Sequence, residues 1–202
     1  MVLGRGINQF FTKVFVILIL NLMFWLYTLL GLVVLGIGPA LRVISELFAA
    51  HEWTFGDYHM AEAWQLFKQY FRLANGHFWL FGALAALLSY SLYLSTQLPW
   101  GFVVFIQFII IFAILLTIVA GLFTLALESH YEVQLKLAIK LAVGQFFHNF
   151  MQLLVFVMGL LAIVMITVKI PGLIPFVSVA AAVIWTHLSS QHWYAQIDAQ
   201  LA

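Results

Sequence analysis

The chain has 202 residues, of which 65% are hydrophobic and only 7% are charged. A typical soluble domain has about 25% charged residues, so this composition excludes a soluble globular fold and indicates an integral membrane protein. The formal net charge of +1 argues against a nucleic-acid partner, and the absence of cysteine excludes disulfides, thiolate metal sites and a cysteine nucleophile.

The first predicted membrane span covers residues 14–35. It contains one polar amide, Asn21, which is followed by Trp25 and Tyr27. A lone asparagine in a span more often hydrogen-bonds a neighbouring helix than binds a ligand, by about three to one. Asn21 and Trp25 are therefore candidates for a structural role first and for solute contact second.

A glycine- and proline-rich break, Gly36-Ile37-Gly38-Pro39-Ala40, follows this span. Proline in a first turn can start a new helix, so we predict a short helix over residues 41–50. Arg42 and Glu46 lie four residues apart on that helix, a spacing that favours an ion pair. The break is either a functional bend or a corner where the chain leaves the membrane, and local rules leave both open. Its candidate structural or solute-contacting residues are Gly36, Gly38 and Pro39.

An amphipathic helix is predicted over residues 57–72. Aromatic side chains repeat at helical spacing on one face, and charged side chains lie largely on the other. Such a helix suits a membrane surface, but it could equally pack onto the end of the bundle. The candidate partner-binding or interfacial residues of this helix are Trp64, Phe67, Phe71, Lys68 and Arg72.

Residues 73–127 contain no Asp, Glu, Lys or Arg. One helix of this length would be about 80 Å long at ~1.5 Å per residue, whereas the hydrocarbon core of a bilayer is ~30 Å thick. We therefore predict two spans, at residues 77–95 and 101–127, with Pro99 and Trp100 in the turn between them. Asn75-Gly76 predicts a turn before the first of these spans.

The second of these spans has little polarity, and its glutamine, Gln107, is a further structural or solute-contacting candidate. A second amphipathic helix is predicted over residues 130–147, where Ser129 and Glu132 form a capping box. Glu132, Lys136 and Lys140 then form a charged ladder at i, i+4, i+8 spacing. Lys136 and Lys140 join the candidate partner-binding or interfacial residues.

Two more spans are predicted at residues 150–168 and 175–188, followed by an interfacial helical tail. The chain is thus predicted to be a single all-α membrane domain, residues 1–202, with five transmembrane helices and two amphipathic connections on the cytoplasmic side. The positive-inside rule places the N-terminus outside and the C-terminus inside. Five basic residues lie on the side of the long connections, against three on the other: Arg42, Lys68, Arg72, Lys136 and Lys140 against Arg5, Lys13 and Lys169.

No motif for chemistry is present. The chain has seven histidines, but it lacks a His-Glu-x-x-His motif, a G-x-S-x-G motif and a P-loop. Interfacial histidine is common, so we put a metal site at roughly one in ten. The spans carry no ionisable group between their ends, which argues against a proton- or ion-coupled transporter. We predict no enzymatic activity, no cofactor and no metal.

Two motifs support a family assignment. Asn21-Leu22-Met23-Phe24-Trp25, followed about a dozen residues later by Gly36-Ile37-Gly38-Pro39-Ala40, resembles the N-terminal signature of the YesL family. These are small bacterial membrane proteins classed as a domain of unknown function. Residues 67–71 and 135–149 also resemble that family, so the resemblance covers most of the chain.

This chain departs from the family at Leu30-Gly31-Leu32, where family members often have a proline. The family's genes often lie beside carbohydrate importers of the ATP-binding-cassette (ABC) type. The resemblance therefore implies an accessory role in sugar import at the bacterial cytoplasmic membrane. It brings no catalytic residues.

Three classes of function follow. The first, which the pattern favours, is an accessory or scaffolding protein whose partners are the bilayer, ABC transporter permease subunits or a second copy of the chain. The second is a small permease for a neutral solute such as a sugar. Its aromatic contacts would be Trp25, Tyr27, Tyr90 and Tyr93, although lipid-facing or packing roles are favoured for them by about four to one. An intramembrane enzyme ranks last, because no nucleophile and base pair is visible.

Overall fold

The computed structural model describes residues 2–97, 101–131 and 133–201, with side chains for residues 9–97, 101–131 and 133–199. In these ranges the chain forms helices and no strand. The α-helices are α1 Val2–Leu30, α2 Ile37–His51, α3 Met60–Ser95, α4 Val103–Tyr131, α5 Leu135–His148, α6 Phe150–Lys169 and α7 Val179–Leu201.

Among the described residues, five segments are long and apolar enough to cross a membrane: Gln9–Leu30, Met60–Ser95, Val103–Tyr131, Phe150–Lys169 and Pro171–Ala199. The prediction of an all-α polytopic bundle with five spans is confirmed.

The apolar core has two parts. The first is formed by α1, α2, the start of α3 and the start of α7, around side chains such as Leu20, Ile44 and Phe67. The second lies between α4, α5, α6 and α7, around Phe123 and Phe156. Helix α7 contributes to both parts, so it connects the two halves of the bundle.

Helix α2 is a short buried helix that returns antiparallel to α1. Phe55, just beyond α2, packs on Phe15 at a ring distance of 5.7 Å, while Gly36 at the other end lies against Thr28 of α1. The first span ends at Leu30 and not at residue 35, because the following turn takes Leu32 and Val33 into the left-handed region, with φ of 60° and 62°. The connection predicted between the first two spans is therefore partly buried, because it contains α2.

Helix α3 differs most from the sequence prediction, which divided this region into two helices separated by a turn. Residues 60–72 of the predicted amphipathic helix and the predicted span over 77–95 belong to one helix of 36 residues. Asn75-Gly76 forms no turn. The Asn75 side-chain amide donates to the backbone oxygens of Phe71 (2.9 Å) and Leu35 (2.8 Å), so it ties α3 to the turn before α2. The Asn75 side chain, which local sequence rules assign to a turn, thus makes a tertiary hydrogen bond within a continuous helix.

The second half differs from the predictions at the helix ends. Helix α4 continues to Tyr131, so the second amphipathic helix begins at Leu135 and not at residue 130. Helix α7 runs on to Leu201, so the predicted interfacial tail continues the last span. A 3₁₀ turn and a π turn, Pro171–Leu173 and Ile174–Ser178, lead into it. The predicted turn residues Pro99 and Trp100, and Glu132 of the capping box, lie outside the described residues.

Two glycine substitutions test this backbone. Replacing Gly76 with Ala should stabilise the protein by about 0.5–1 kcal/mol, because Gly76 is helical and a Cβ there would meet nothing within 4 Å. The melting temperature in detergent should rise by about 1–4 °C.

The opposite result is expected for Gly36→Ala. A Cβ at Gly36 would overlap the backbone of Thr28, so overpacking should destabilise the protein by about 1–3 kcal/mol. A loss of stability in Gly76→Ala would contradict the continuous α3 helix.

Candidate functional site

A buried ion pair joins α2 to α4. Arg42 Nη1 donates to Glu128 Oε2 at 2.7 Å, and Nη2 donates to the Glu128 backbone oxygen at 2.9 Å. Nη2 also lies 2.6 Å from Glu46 Oε1, one turn along α2, so the predicted i, i+4 pair is present. The side chains of Arg42 and Glu128 are only 5% and 3% exposed. A pair desolvated to this degree needs several hydrogen bonds to offset the cost of burial, and the guanidinium supplies them.

Helix α3 completes this charged cluster, which consists of Arg42, Glu46, His77 and Glu128. His77 Nδ1 lies 2.9 Å from Glu128 Oε2, and the guanidinium of Arg42 stacks over the ring of Tyr70 at 4.7 Å. The cluster thus brings one guanidinium, one imidazole and two carboxyl groups together inside the bundle.

A chain of hydroxyl groups extends the cluster to α7. Ser129, which follows Glu128, donates to Ser45 Oγ at 2.8 Å, and Ser45 Oγ is 2.8 Å from His187 Nε2. All three side chains are buried. Helices α2, α3, α4 and α7 thus meet at one polar centre.

A cavity of about 240 Å³ lies beside the cluster, mainly between α3 and α4. His77 and Glu128 line it, together with apolar side chains such as Phe78, Phe81 and Leu122. Thr124 lines it as well, one helical turn before Glu128. Within the described part of the chain, Thr124 Oγ1 and Glu128 Oε1 have no hydrogen-bond partner although both are buried.

Asn21 and Trp25 hold α1 to the start of α7. Asn21 Oδ1 accepts from the backbone N–H groups of Val179 and Ala180, each at 3.0 Å, and its amide donates to Ile174 O at 3.0 Å. Trp25 Nε1 donates to the same oxygen at 3.2 Å. These bonds serve backbone groups that the irregular entry to α7 leaves without helical partners. Asn21 thus hydrogen-bonds a neighbouring helical segment, as its structural interpretation predicts.

The other predicted solute-contacting residues are not gathered at one place. Gly36, Gly38 and Pro39 are buried at the start of α2, where a Cβ on Gly38 would lie 2.8 Å from Ala74 O. Gln107 lies half-buried on α4, makes no hydrogen bond to any described residue and does not line the cavity. The break before α2 is therefore a close-packed corner.

The aromatic face of residues 57–72 packs largely on the bundle itself. Phe67 is 5% exposed and stacks on Tyr27 at 5.1 Å, and Phe71 packs against the same core. Phe67 has almost no surface free for a partner and Phe71 is half-buried, so a docking role for them stays a prediction. Trp64 keeps 43% of its surface exposed, and Lys68 and Arg72 are exposed beside it.

Helix α5 separates its two faces clearly. Lys136 and Lys140 are exposed, whereas Ala138, Ala142 and Phe146 are buried in the second part of the core. The two lysines are therefore free to act at an interface. Whether that interface is lipid or protein stays a prediction.

Sequence reasoning missed most of the polar centre. It treated Arg42 only as the partner of Glu46, and it placed no ionisable group inside the bundle. That last inference is wrong, because the fold brings Arg42 and His77 against Glu128, a buried residue of α4. A usable signal was present: Glu128 is the first charge after the long uncharged region, and a serine follows it. Across the part of the chain that the structure describes, no three His, Asp or Glu side chains are arranged to hold a metal.

The fold and its five apolar segments define a multi-pass helical membrane protein. Residues 17–92 match a family model described as "Protein of unknown function, DUF624", a little over a third of the chain. The YesL family is the known family with this domain, so the resemblance to it is confirmed over residues 17–92. The match includes Arg42 and His77 but not Glu128. No curated protein and no solved structure matches the chain.

The two amides of the apolar helices should respond differently to substitution. Asn21→Leu should destabilise the protein by about 2–4 kcal/mol, because each buried N–H left without an acceptor costs ~1–3 kcal/mol. Gln107→Leu is the matched control and should stay within about 0.5 kcal/mol. Thermal unfolding in detergent, followed by tryptophan fluorescence, measures both. Equal losses would show that Asn21 does not hold α7.

The ion pair is testable by a double-mutant cycle. Arg42→Leu should cost about 3–5 kcal/mol, because it leaves Glu128 buried without its main partner. Adding Glu128→Leu should recover part of that loss, with a coupling energy above about 1 kcal/mol in the same unfolding measurement. Strict additivity of the two substitutions would mean that the pair contributes no interaction of its own.

Proposed function

We propose that this protein is an accessory or scaffolding subunit that binds a partner membrane protein, namely the permease subunits of a carbohydrate importer of the ABC type. The observation that carries this proposal is an exposed stripe on α3 formed by Trp64, Lys68 and Arg72. These residues are spaced four apart, so they share one face of the helix. Tryptophan and arginine are enriched among the residues that dominate protein–protein binding energy.

The stripe is held rigidly. Trp64 stacks on Phe67 at 5.7 Å and lies nearly parallel to Tyr27 at 6.3 Å, while Lys68 Nζ is 5.6 Å from its ring centre. Phe67 and Tyr27 are buried, so Trp64 rests on a fixed aromatic base. A side chain ordered before binding loses less conformational entropy when a partner covers it. This supports a protein partner over the loose contact that a lipid interface needs.

The identity of the partner rests on the family resemblance and its link to carbohydrate importers. We place the protein in the bacterial cytoplasmic membrane with the N-terminus outside. Because Arg42 is buried in an ion pair, it no longer counts toward the positive-inside rule. Four basic residues then remain on the side of the long connections, against three on the other side.

A small permease for a neutral solute is the second candidate, supported by the cavity between α3 and α4. Three of the residues expected to contact a sugar have other partners, which argues against the permease role. Asn21 and Trp25 already bind the α7 entry, and Tyr27 is buried with its hydroxyl donating to Met60 O. The cavity, in addition, is lined mostly by apolar side chains and offers few polar groups to a sugar.

The partner hypothesis predicts a difference between two tryptophans of the same helix. Trp64→Ala should lower recovery of permease subunits several-fold in a pull-down from native membranes in mild detergent, identified by mass spectrometry. Trp79→Ala is the control, because Trp79 also lies on α3 and is also 43% exposed, but it stands outside the stripe. Its recovery of partners should match that of the unmodified chain.

Equal recovery in both variants would contradict the stripe as the docking site. Recovery of the protein alone, together with sugar uptake by liposomes that contain only this protein, would replace the accessory role with the permease role.

A further inference from the structure

The cavity between α3 and α4 follows these two helices over about half the thickness of a membrane. Its lining residues run from Ala74 to Ala85 on α3 and from Thr117 to Glu128 on α4. Either stretch rises by about 16 Å at ~1.5 Å per residue. The uncharged part of α3, residues 73–95, is about 33 Å long on the same basis, close to the ~30 Å hydrocarbon core of a bilayer. The cavity therefore has the length of one leaflet.

The two ends of the cavity differ in polarity. His77 and Glu128 face each other at one end, where His77 Nδ1 lies 2.9 Å from Glu128 Oε2. Arg72 and Glu128 are the charged residues that bound the long uncharged region of the chain, so this end belongs at the membrane interface. From there the cavity runs toward the middle of the bilayer, where Ala85 and Thr117 line it.

The walls between these ends are those of a hydrocarbon site. They are mostly apolar and include Phe78, Phe81 and Leu122. Gly82 lines the cavity as well, and a Cβ on it would meet nothing nearer than the ring of Trp79 at 4.0 Å. Helix packing thus does not require a glycine here, although glycine weakens a helix relative to alanine. Its effect is to widen the cavity.

The surroundings of the cavity supply hydrocarbon. Ile118 lines the cavity and keeps 48% of its surface exposed, so the cavity reaches the outer face of the two helices. An apolar cavity stays free of water, and its empty space costs the lining atoms their dispersion contacts. An apolar protein cavity of about 150 Å³ holds benzene, and this one measures about 240 Å³.

We propose that this cavity holds one acyl chain of a bilayer phospholipid, which enters from the side and lies along α3 and α4 between Phe78, Phe81 and Leu122. The shape selects this occupant. A helix of a partner or of a second copy is ~10–12 Å across with its side chains, which is too wide for 240 Å³ spread over about 16 Å. The site is independent of the accessory role, because the stripe on α3 does not line the cavity.

The first test is native mass spectrometry of the full chain, purified from its membrane in mild detergent. Ala85→Phe fills the cavity. Ala86→Phe is the matched control, because Ala86 is the next residue of α3, is exposed and does not line the cavity. The unmodified chain and Ala86→Phe should retain a single phospholipid, and Ala85→Phe should retain it several-fold less often. The outer surface of the bundle is alike in these proteins, so the difference reports the cavity.

A second pair of variants protects the test against a folding defect of Ala85→Phe. Gly82→Leu also fills the cavity, at a position where a Cβ has room. Gly76→Leu is its control, because Gly76 lies on the same helix and is equally open to a Cβ but does not line the cavity. Gly82→Leu should lose the phospholipid and Gly76→Leu should keep it.

Photo-cross-linking then locates the chain. The full protein is placed in phosphatidylcholine nanodiscs that contain an analogue with a diazirine in the middle of one acyl chain. Illumination should label Leu122 and Leu125, which line the cavity, and Ala85→Phe should lower these labels several-fold. The label on Phe108, which is exposed on the same helix, should not change. If neither cavity-filling variant folds, labelling of Leu122 and Leu125 in the unmodified chain decides the test.

Three results would overturn the proposal. The first is equal retention of phospholipid by the cavity-filling variants and their controls. The second is a retained molecule with the mass of a free fatty acid or another compound in place of a phospholipid. The third is a cross-linking pattern that includes Phe108 but neither Leu122 nor Leu125.

Discussion

The buried ion pair between Arg42 and Glu128 is the contact on which the arrangement of the bundle depends. It joins the short helix α2 to the end of α4, and His77 brings in α3 at the same point. Buried charges are stable only when their hydrogen bonds are satisfied, so the three helices cannot shift independently. The neighbouring hydroxyl groups of Ser45 and Ser129 extend this constraint to His187 on α7. A short helix that cannot cross a membrane thereby determines how three long ones meet.

A second constraint lies between α1 and α7, where Asn21 accepts hydrogen bonds from the first two backbone N–H groups of α7. In an apolar surrounding an unpaired N–H is costly, so an irregular helix start needs a side-chain acceptor nearby. The asparagine of α1 meets that need. The two parts of the apolar core are thus held together by polar contacts at two separate points on α7.

The two proposals use different surfaces and follow from different physics. The stripe of Trp64, Lys68 and Arg72 is exposed and rests on buried aromatic rings, as suits contact with another protein. The cavity lies mainly between α3 and α4, and its walls are mostly apolar. It shares α3 with the stripe, because Phe78 and Phe81 line it.

The sequence by itself determined the membrane class, the five apolar segments and the hydrogen-bonding role of Asn21, because composition, long uncharged regions and a lone amide have few alternative solutions in lipid. It also predicted the pair of Arg42 with Glu46, which needs only helical spacing. Only the tertiary structure decided that α3 is continuous through Asn75, since that side chain binds Leu35 O across the fold. Only the fold, likewise, revealed Glu128 as the partner of Arg42. The two residues are 86 positions apart, and no local rule connects charges over such a distance.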